Sequence, residues 1–217
     1  ALAAAVAAAL TGGAAGAVPA LAACAVVVAL AFAAETGAWM VNGGAYGAER
    51  RFLLRPPRAL LVLPIPLAWV LLVAAVAGPP LLLAAGRWVA GAIALVAGVP
   101  LTLVLSRALH SLTQRWAVLV PAGLVVKDHL ALVDPVLLRR ADLEVLRPAP
   151  AGGDALDLTV GAPGLALEAR LREAVPLVRV VLGRRRGEPG RSARLRFTPT
   201  RPGAVLAAAA QRRIPVG

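Results

Sequence analysis

The chain is short of the residues that chemistry at a soluble active site draws on. One cysteine, Cys24, excludes an internal disulfide and a thiolate-rich metal site. Two histidines, His110 and His129, leave little for a histidine-based metal centre. Lys127 is the only lysine and isoleucine occurs three times, whereas Ala, Gly, Pro and Arg are abundant. GC-rich codons produce that bias, which points to a high-GC bacterium. Aromatic residues make up 4% of the chain, too few for base stacking, which argues against nucleic acid. No Gly-x-Ser-x-Gly elbow is present, and Ser106, Ser111 and Ser192 have no His/Asp company. Val160-Gly161-Ala162-Pro163-Gly164 lacks the helix that a phosphate-binding glycine loop must open.

What the chain has is apolar length. Its 217 residues are 59% hydrophobic and 16% charged, a balance uncommon in soluble enzymes. Residues 1–34 carry no charge, and neither do residues 59–86 and 88–106. About 20 apolar residues cross the hydrocarbon of a bilayer, so the second and third runs each suffice for one crossing. Gly78-Pro79-Pro80 is read as the end of the second helix, giving spans near 59–78 and 88–106. The first run is too long for one crossing and lacks the positive start of a secretory signal. A helix from about Ala17 to Met40 after a weakly helical Ala-rich stretch is expected there, with a tight helical hairpin as the alternative. The second and third spans contain no acid or base, Arg87 lying at a boundary between them, which argues against a pump or coupled transporter.

Arginines set the expected orientation. Arg50, Arg51, Arg55 and Arg58 lie between the first and second spans, and Arg107 and Arg115 follow the third, whereas the remaining connection has only Arg87. The positive-inside rule places the richer side in the cytoplasm, with the C-terminal region beside it. Trp39 and Trp88 fall near the expected interfaces and Trp69 lies mid-span.

From residue 107 the character changes. Residues 107–217 hold 18 basic and 9 acidic side chains, and their periodicity is that of strands. Leu165, Leu167, Ala169 and Leu171 alternate with Ala166, Glu168, Arg170 and Arg172. Leu156, Leu158 and Val160 repeat the pattern, as do Ala193, Leu195 and Phe197. Trp116–Val120 and Leu124–Val126 flank Pro121-Ala122-Gly123 as a hairpin. Leu130–Val133, Val136–Leu138, Asp142–Leu146 and Leu177–Leu182 are further strands. Thr200 and Pro202 then open an Ala-rich helix, Ala204–Arg213. The expected fold is a membrane region of about three transmembrane helices, residues 1–106, followed by a small α+β domain, residues 107–217.

Arg115-Trp116-Ala117-Val118-Leu119-Val120-Pro121-Ala122-Gly123-Leu124-Val125-Val126 resembles the opening hairpin of bacterial pleckstrin-homology-like (PH-like) domains. Phe197-Thr198-Pro199-Thr200-Arg201-Pro202-Gly203-Ala204-Val205-Leu206 resembles their last strand and helix entry. The resemblance covers about 100 residues, and the chain as a whole is similar to actinobacterial integral membrane proteins without an assigned activity. It implies an antiparallel barrel closed by one C-terminal helix, a binding function, and no catalytic residues or cofactors.

The sharpest local feature is Arg184-Arg185-Arg186-Gly187-Glu188-Pro189-Gly190-Arg191, read as a loop between strands. Anionic lipid attracts such residues by about 1 kcal/mol each. Arg184, Arg185, Arg186 and Arg191 are therefore the candidate contact for anionic lipid headgroups or an acidic partner protein, against the plainer reading of a solvated hairpin tip. Arg139-Arg140 with Asp142 and Glu144 reads as an exposed strand face with paired charges, and Asp154 and Asp157 as turn residues. No catalytic, cofactor or metal site is expected. The function expected is a binding or scaffolding domain held at the inner face of the bacterial cell membrane. The alternative is a small membrane subunit of a transport or envelope-assembly complex, in which Gly78, Gly86, Gly91 and Gly98 let helices approach.

Overall fold

The computed structural model describes residues 13–31, 33–150, 152–181, 183 and 187–217. Helices α1 (Gly13–Ala31) and α2 (Ala34–Asn42) replace the single helix expected over 17–40. Their axes bend by 55° between Ala25–Ala31 and Glu35–Asn42. Ala33 is extended there, at φ −63° and ψ 136°. The Thr36 hydroxyl donates to the Leu30 carbonyl at 2.7 Å, closing the end of α1 with a side chain from the next helix. The Ala-rich stretch ahead of α1 lies largely outside the described residues.

After β1 (Arg50–Leu53) come α3 (Arg58–Val62), α4 (Pro64–Ala84) and α5 (Trp88–Leu112). Leu63 separates α3 from α4 because the ring of Pro64 disfavours helical geometry at the residue before it. Helix α4 does not end at Gly78-Pro79-Pro80 but runs through both prolines to Ala84. Proline at 79 has no N–H for the Ala75 carbonyl, and that carbonyl faces Gly98 of α5, where an added Cβ would lie 2.8 Å away. Gly91 meets Leu83 as closely, with an added Cβ 2.6 Å from its Cδ2. Both glycines are buried, so close packing by α5 covers the stretch that the prolines weaken. Helix α5 continues past Ser106 and carries Arg107 and His110 in its last turns. At 1.5 Å per residue the two helices are about 32 and 38 Å long. Both are long and apolar enough to cross a membrane.

The rest is a small region of two four-stranded sheets. The first has the order β1-β2-β3-β4, with β2 (Trp116–Val120), β3 (Gly123–Lys127) and β4 (Val136–Arg139), all antiparallel. The second has the order β5-β7-β8-β6, with β5 (Leu143–Pro148), β6 (Leu156–Asp157), β7 (Leu167–Arg179) and β8 (Glu188–Phe197). Here β6 runs parallel to β8. Helix α6 (Pro202–Gln211) buries Val205, Ala208 and Ala209 in a core shared with Leu119, Leu146, Leu195 and Phe197.

A boundary at residue 107 would cut this sheet. Strand β1 comes from between the helices and pairs with β2 from Arg50↔Leu119 to Leu53↔Trp116. Phe52 and Leu54 enter the core. The Leu54 N–H donates to the Arg115 carbonyl, the Arg55 N–H to Thr198 and the Thr200 N–H to Leu53, at 2.8–2.9 Å. One short segment thereby ties both sheets together.

Other strands depart from the expected pattern in detail. The β2–β3 turn is Pro121-Ala122, and Gly123 (φ 151°) is required because a Cβ there would sit 2.1 Å from the Leu138 carbonyl. Residues 130–133 form no strand, and only Leu132 bridges to Arg179. The two strands expected over 164–182 are one, β7, whose pairing with β8 slips between Arg170 and Val175. Glu168, assigned to the polar face, is 2% exposed and pairs with Arg147 at 3.1 Å. Thr200 does not cap α6, since its hydroxyl donates to the Leu53 carbonyl.

Candidate functional site

The arginine-rich stretch is not one loop. Arg184, Arg185 and Arg186 lie outside the described residues. Glu188–Arg191 belongs to β8, and Arg191 stands opposite Pro176. The hairpin is held at its end by the Arg179↔Glu188 pair, whose side chains meet at 3.1 Å. Arg191 turns back instead, donating from Nη2 to the Ala174 carbonyl at 3.0 Å. Ala174 lies in the slipped part of β7, where a backbone acceptor has no strand partner across the ladder. Arg191 thus braces the slip.

The hairpin end has a fixed place in the fold. The Val133 N–H donates to the Val178 carbonyl and the Val180 N–H to Ala131, both at 2.9 Å. The 131–133 segment follows directly on the end of β3, where Lys127 pairs with Trp116, the first strand residue after α5. The hairpin end at Val178–Val180 therefore belongs to the end of the first sheet from which α4 and α5 depart. Trp116 there lies beneath two cations, Arg51 at 4.8 Å and Lys127 at 4.9 Å from its ring centre. A cleft of about 570 Å³ opens beside the slip, and its charged lining is mixed: Asp134, Asp142 and Glu173 against Arg139 and Arg191.

Sequence reasoning missed the buried ion pair at the same end. Arg115, read from sequence for its charge beside the third span and as the first residue of the hairpin, donates from Nε and Nη2 to both carboxylate oxygens of Asp128 at 2.6 Å. The two side chains are 1% and 0% exposed. Arg115 also donates to the Arg55 carbonyl at 2.9 Å, and Asp128 accepts the Leu130 N–H at 3.0 Å. A bidentate fork with further bonds on each partner is the arrangement in which buried charges are tolerated. It locks the exit of α5 to the entry of α3.

Arg139 and Arg140 are not paired as expected. Glu144 binds Arg170 at 2.8 Å instead, and among the described residues neither Arg139 nor Arg140 makes an ion pair. Asp157, expected in a turn, is instead the last residue of β6, opposite Arg196; it pairs with Arg196 at 3.6 Å and accepts the Thr159 N–H. His110 Nε2 lies 3.1 Å from the Gln114 amide nitrogen. Among the described residues no three His, Cys, Asp or Glu side chains gather as a metal site. No protein-family model, curated protein or solved structure matches the chain.

Proposed function

We propose that the chain is a bacterial inner-membrane protein that anchors a PH-like binding or scaffolding domain at the cytoplasmic face, with no catalytic step of its own. The observation that carries this reading is the pairing of β1 with β2 across the helical hairpin. Strands that pair must lie on one side of a bilayer, so α4 and α5 leave and return to the same face. The domain is then held at the base of the hairpin with no linker between them. Arg50, Arg51, Arg55, Arg58 and Arg107 lie on the side from which the hairpin departs and only Arg87 lies at the far turn, which favours the cytoplasm for the domain. Two sheets followed by a single C-terminal helix after Phe197-Thr198-Pro199 support the PH-like assignment, while the parallel β6 departs from a simple antiparallel barrel. The described end of the β7–β8 hairpin, at Arg179 and Glu188, lies on the side of the first sheet from which α4 and α5 depart. Arg184, Arg185 and Arg186, which fall between those two residues in sequence, are the proposed contact for anionic headgroups or a membrane-bound acidic partner.

Two measurements test it. In a Cys24→Ala background, an impermeant maleimide applied to spheroplasts labels R87C and reaches S192C only after permeabilisation; the reverse pattern overturns the orientation. For the tip, the full chain carrying a fluorophore at G183C is placed in vesicles with quencher-bearing headgroups. Quenching that appears with anionic lipid and is lost when Arg184, Arg185 and Arg186 become Ala supports a headgroup contact. Equal quenching in all cases leaves the tip without a lipid role.

The subunit alternative rests on Gly78. Gly91 and Gly98 are consumed by packing within the chain and Gly86 forms the turn (φ 73°), but Gly78 meets nothing within 4 Å. A co-purifying membrane partner released by Gly78→Leu would favour that alternative.

A further inference from the structure

The fold gathers a second set of arginines that no segment of the sequence announces. Arg139 ends β4, Arg140 follows it in the turn to β5, Arg172 lies in the slipped part of β7, and Arg213 follows α6. All four are exposed and line one cleft of about 580 Å³. No acidic side chain lines it, in contrast to the mixed cleft beside Arg191. Among the described residues none of the four guanidinium groups is in an ion pair. Their nearest backbone ties are made by N–H groups alone: Arg140 to the Ala122 carbonyl and Arg172 to Asp142.

Arg213 adds an independent sign. Its φ of 57° lies in the left-handed region, just past the end of α6, where glycine is the unstrained choice. A non-glycine residue there holds backbone strain that a helix terminus does not need, and such outliers are evidence for a demand on the side chain. Its neighbour Arg212 is already engaged, donating to the carbonyls of Leu119 and Ala48. Arg213 is left for the cleft.

The position of the cleft selects the ligand. In the first sheet the helices depart from the Leu53–Trp116–Lys127 end, whereas Val120, Gly123 and Arg139 pair at the other end. Five-residue strands put those ends about 14 Å apart, so the cleft opens away from the face that carries the hairpin. A headgroup of the protein's own bilayer is on the wrong side. The side chains that line the cleft with polar atoms are all donors, set over an apolar floor that includes Pro121, Ala122, Leu143 and Pro215. Guanidinium forks match phosphate oxygens bidentately, and a ligand made only of acceptors leaves no unmet donor of its own. A peptide, with its own N–H groups, finds no acceptor side chain there, and a nucleic acid finds no aromatic ring.

We infer that Arg139, Arg140, Arg172 and Arg213 form a binding site for a soluble, multiply charged phosphate compound, on the side of the domain opposite the membrane hairpin. The placement relative to the bilayer rests on the hairpin spanning the membrane; the phosphate chemistry does not.

The test is isothermal titration of the full chain in neutral-lipid nanodiscs with inorganic pyrophosphate. Saturable binding that weakens as salt rises is expected. Arg172→Gln and Arg213→Gln each lower affinity about tenfold, the loss of one charge-assisted bidentate contact, while Arg194→Gln, at an exposed arginine outside the cleft, leaves it unchanged. Arg213→Gly removes the strain and the guanidinium together, so it raises the unfolding temperature as it weakens binding. Absence of saturable binding, or an equal loss with Arg194→Gln, overturns the site. So does an Arg213→Gly variant that binds as the parent does. In the headgroup-quenching assay the cleft variants behave as the parent; loss of quenching there would make the arginines a lipid contact and overturn the inference.

Discussion

The helical hairpin and the two-sheet region obey opposite packing rules. In α4 and α5 the large side chains face outward, with Val70, Val73, Val76, Ile93 and Val96 all exposed, while the buried positions are Gly91, Gly98 and Pro79. In the sheets the leucines are inside: Leu119, Leu124, Leu138, Leu146 and Leu195 are fully buried. Water drives the second arrangement by removing apolar area. In the proposed bilayer setting that drive is absent, and close backbone approach between small residues holds the hairpin. The junction between the two regions keeps its buried charge, Arg115 with Asp128, at the boundary where one rule gives way to the other.

The sharpest way to break this division is at that pair. Arg115→Leu leaves Asp128 buried without its counter-charge and costs about 3–5 kcal/mol. Denaturant unfolding of the purified chain, followed by tryptophan fluorescence, reads this directly. The double variant Arg115→Leu, Asp128→Leu recovers most of the loss, because two apolar side chains of similar size replace a pair that is expensive to desolvate. A double variant as unstable as the single would mean that the bond to the Arg55 carbonyl, not the ion pair, holds the junction.

Next in size are substitutions that the two regions answer differently. Leu124→Ala in the sheet core removes methyl groups from a fully buried site and costs about 2–5 kcal/mol. Val96→Ala on the outer face of α5 removes less, from an exposed position, and changes stability in detergent by about 0.5 kcal/mol or less. Comparable losses at the two sites would mean that the hairpin face is covered by another protein rather than by lipid.

How much of this was legible follows from range in sequence. The apolar runs mark α4 and α5 because each helix is a single uninterrupted stretch. The β2–β3 hairpin, and the passage from Phe197 through Pro199 to α6, are likewise local. Even the Arg115–Asp128 pair was readable in principle. Once the turn is placed at Pro121-Ala122, antiparallel register sets Trp116 against Lys127, and the flanking residues 115 and 128 against each other. Strand β1 was not readable: Arg50–Leu53 is four residues long, lies between helices, and finds its partner more than sixty residues away. The arginine cleft fails for the same reason, since Arg140, Arg172 and Arg213 come from three separate segments. The continuation of α4 past Pro79 depends on Gly98, which belongs to a different helix.

The finest test uses one substitution at two glycines of the hairpin. At Gly98 an added Cβ meets the Ala75 carbonyl at 2.8 Å, which is backbone and cannot swing aside. Gly98→Ala therefore pushes α5 from α4, uncovers the stretch weakened by Pro79, and costs about 1–3 kcal/mol. At Gly78 the same methyl meets open space. Gly78→Ala gains helix propensity of about 1 kcal/mol at most, so the hairpin is unchanged or slightly firmer. Unfolding of both variants in the same detergent, with α4–α5 separation followed by a pair of spin labels, gives the sign of each. A Gly78→Ala variant that loses stability as Gly98→Ala does would show that a second helix packs on that face in the membrane. The hairpin would then be a contact surface as well as an anchor.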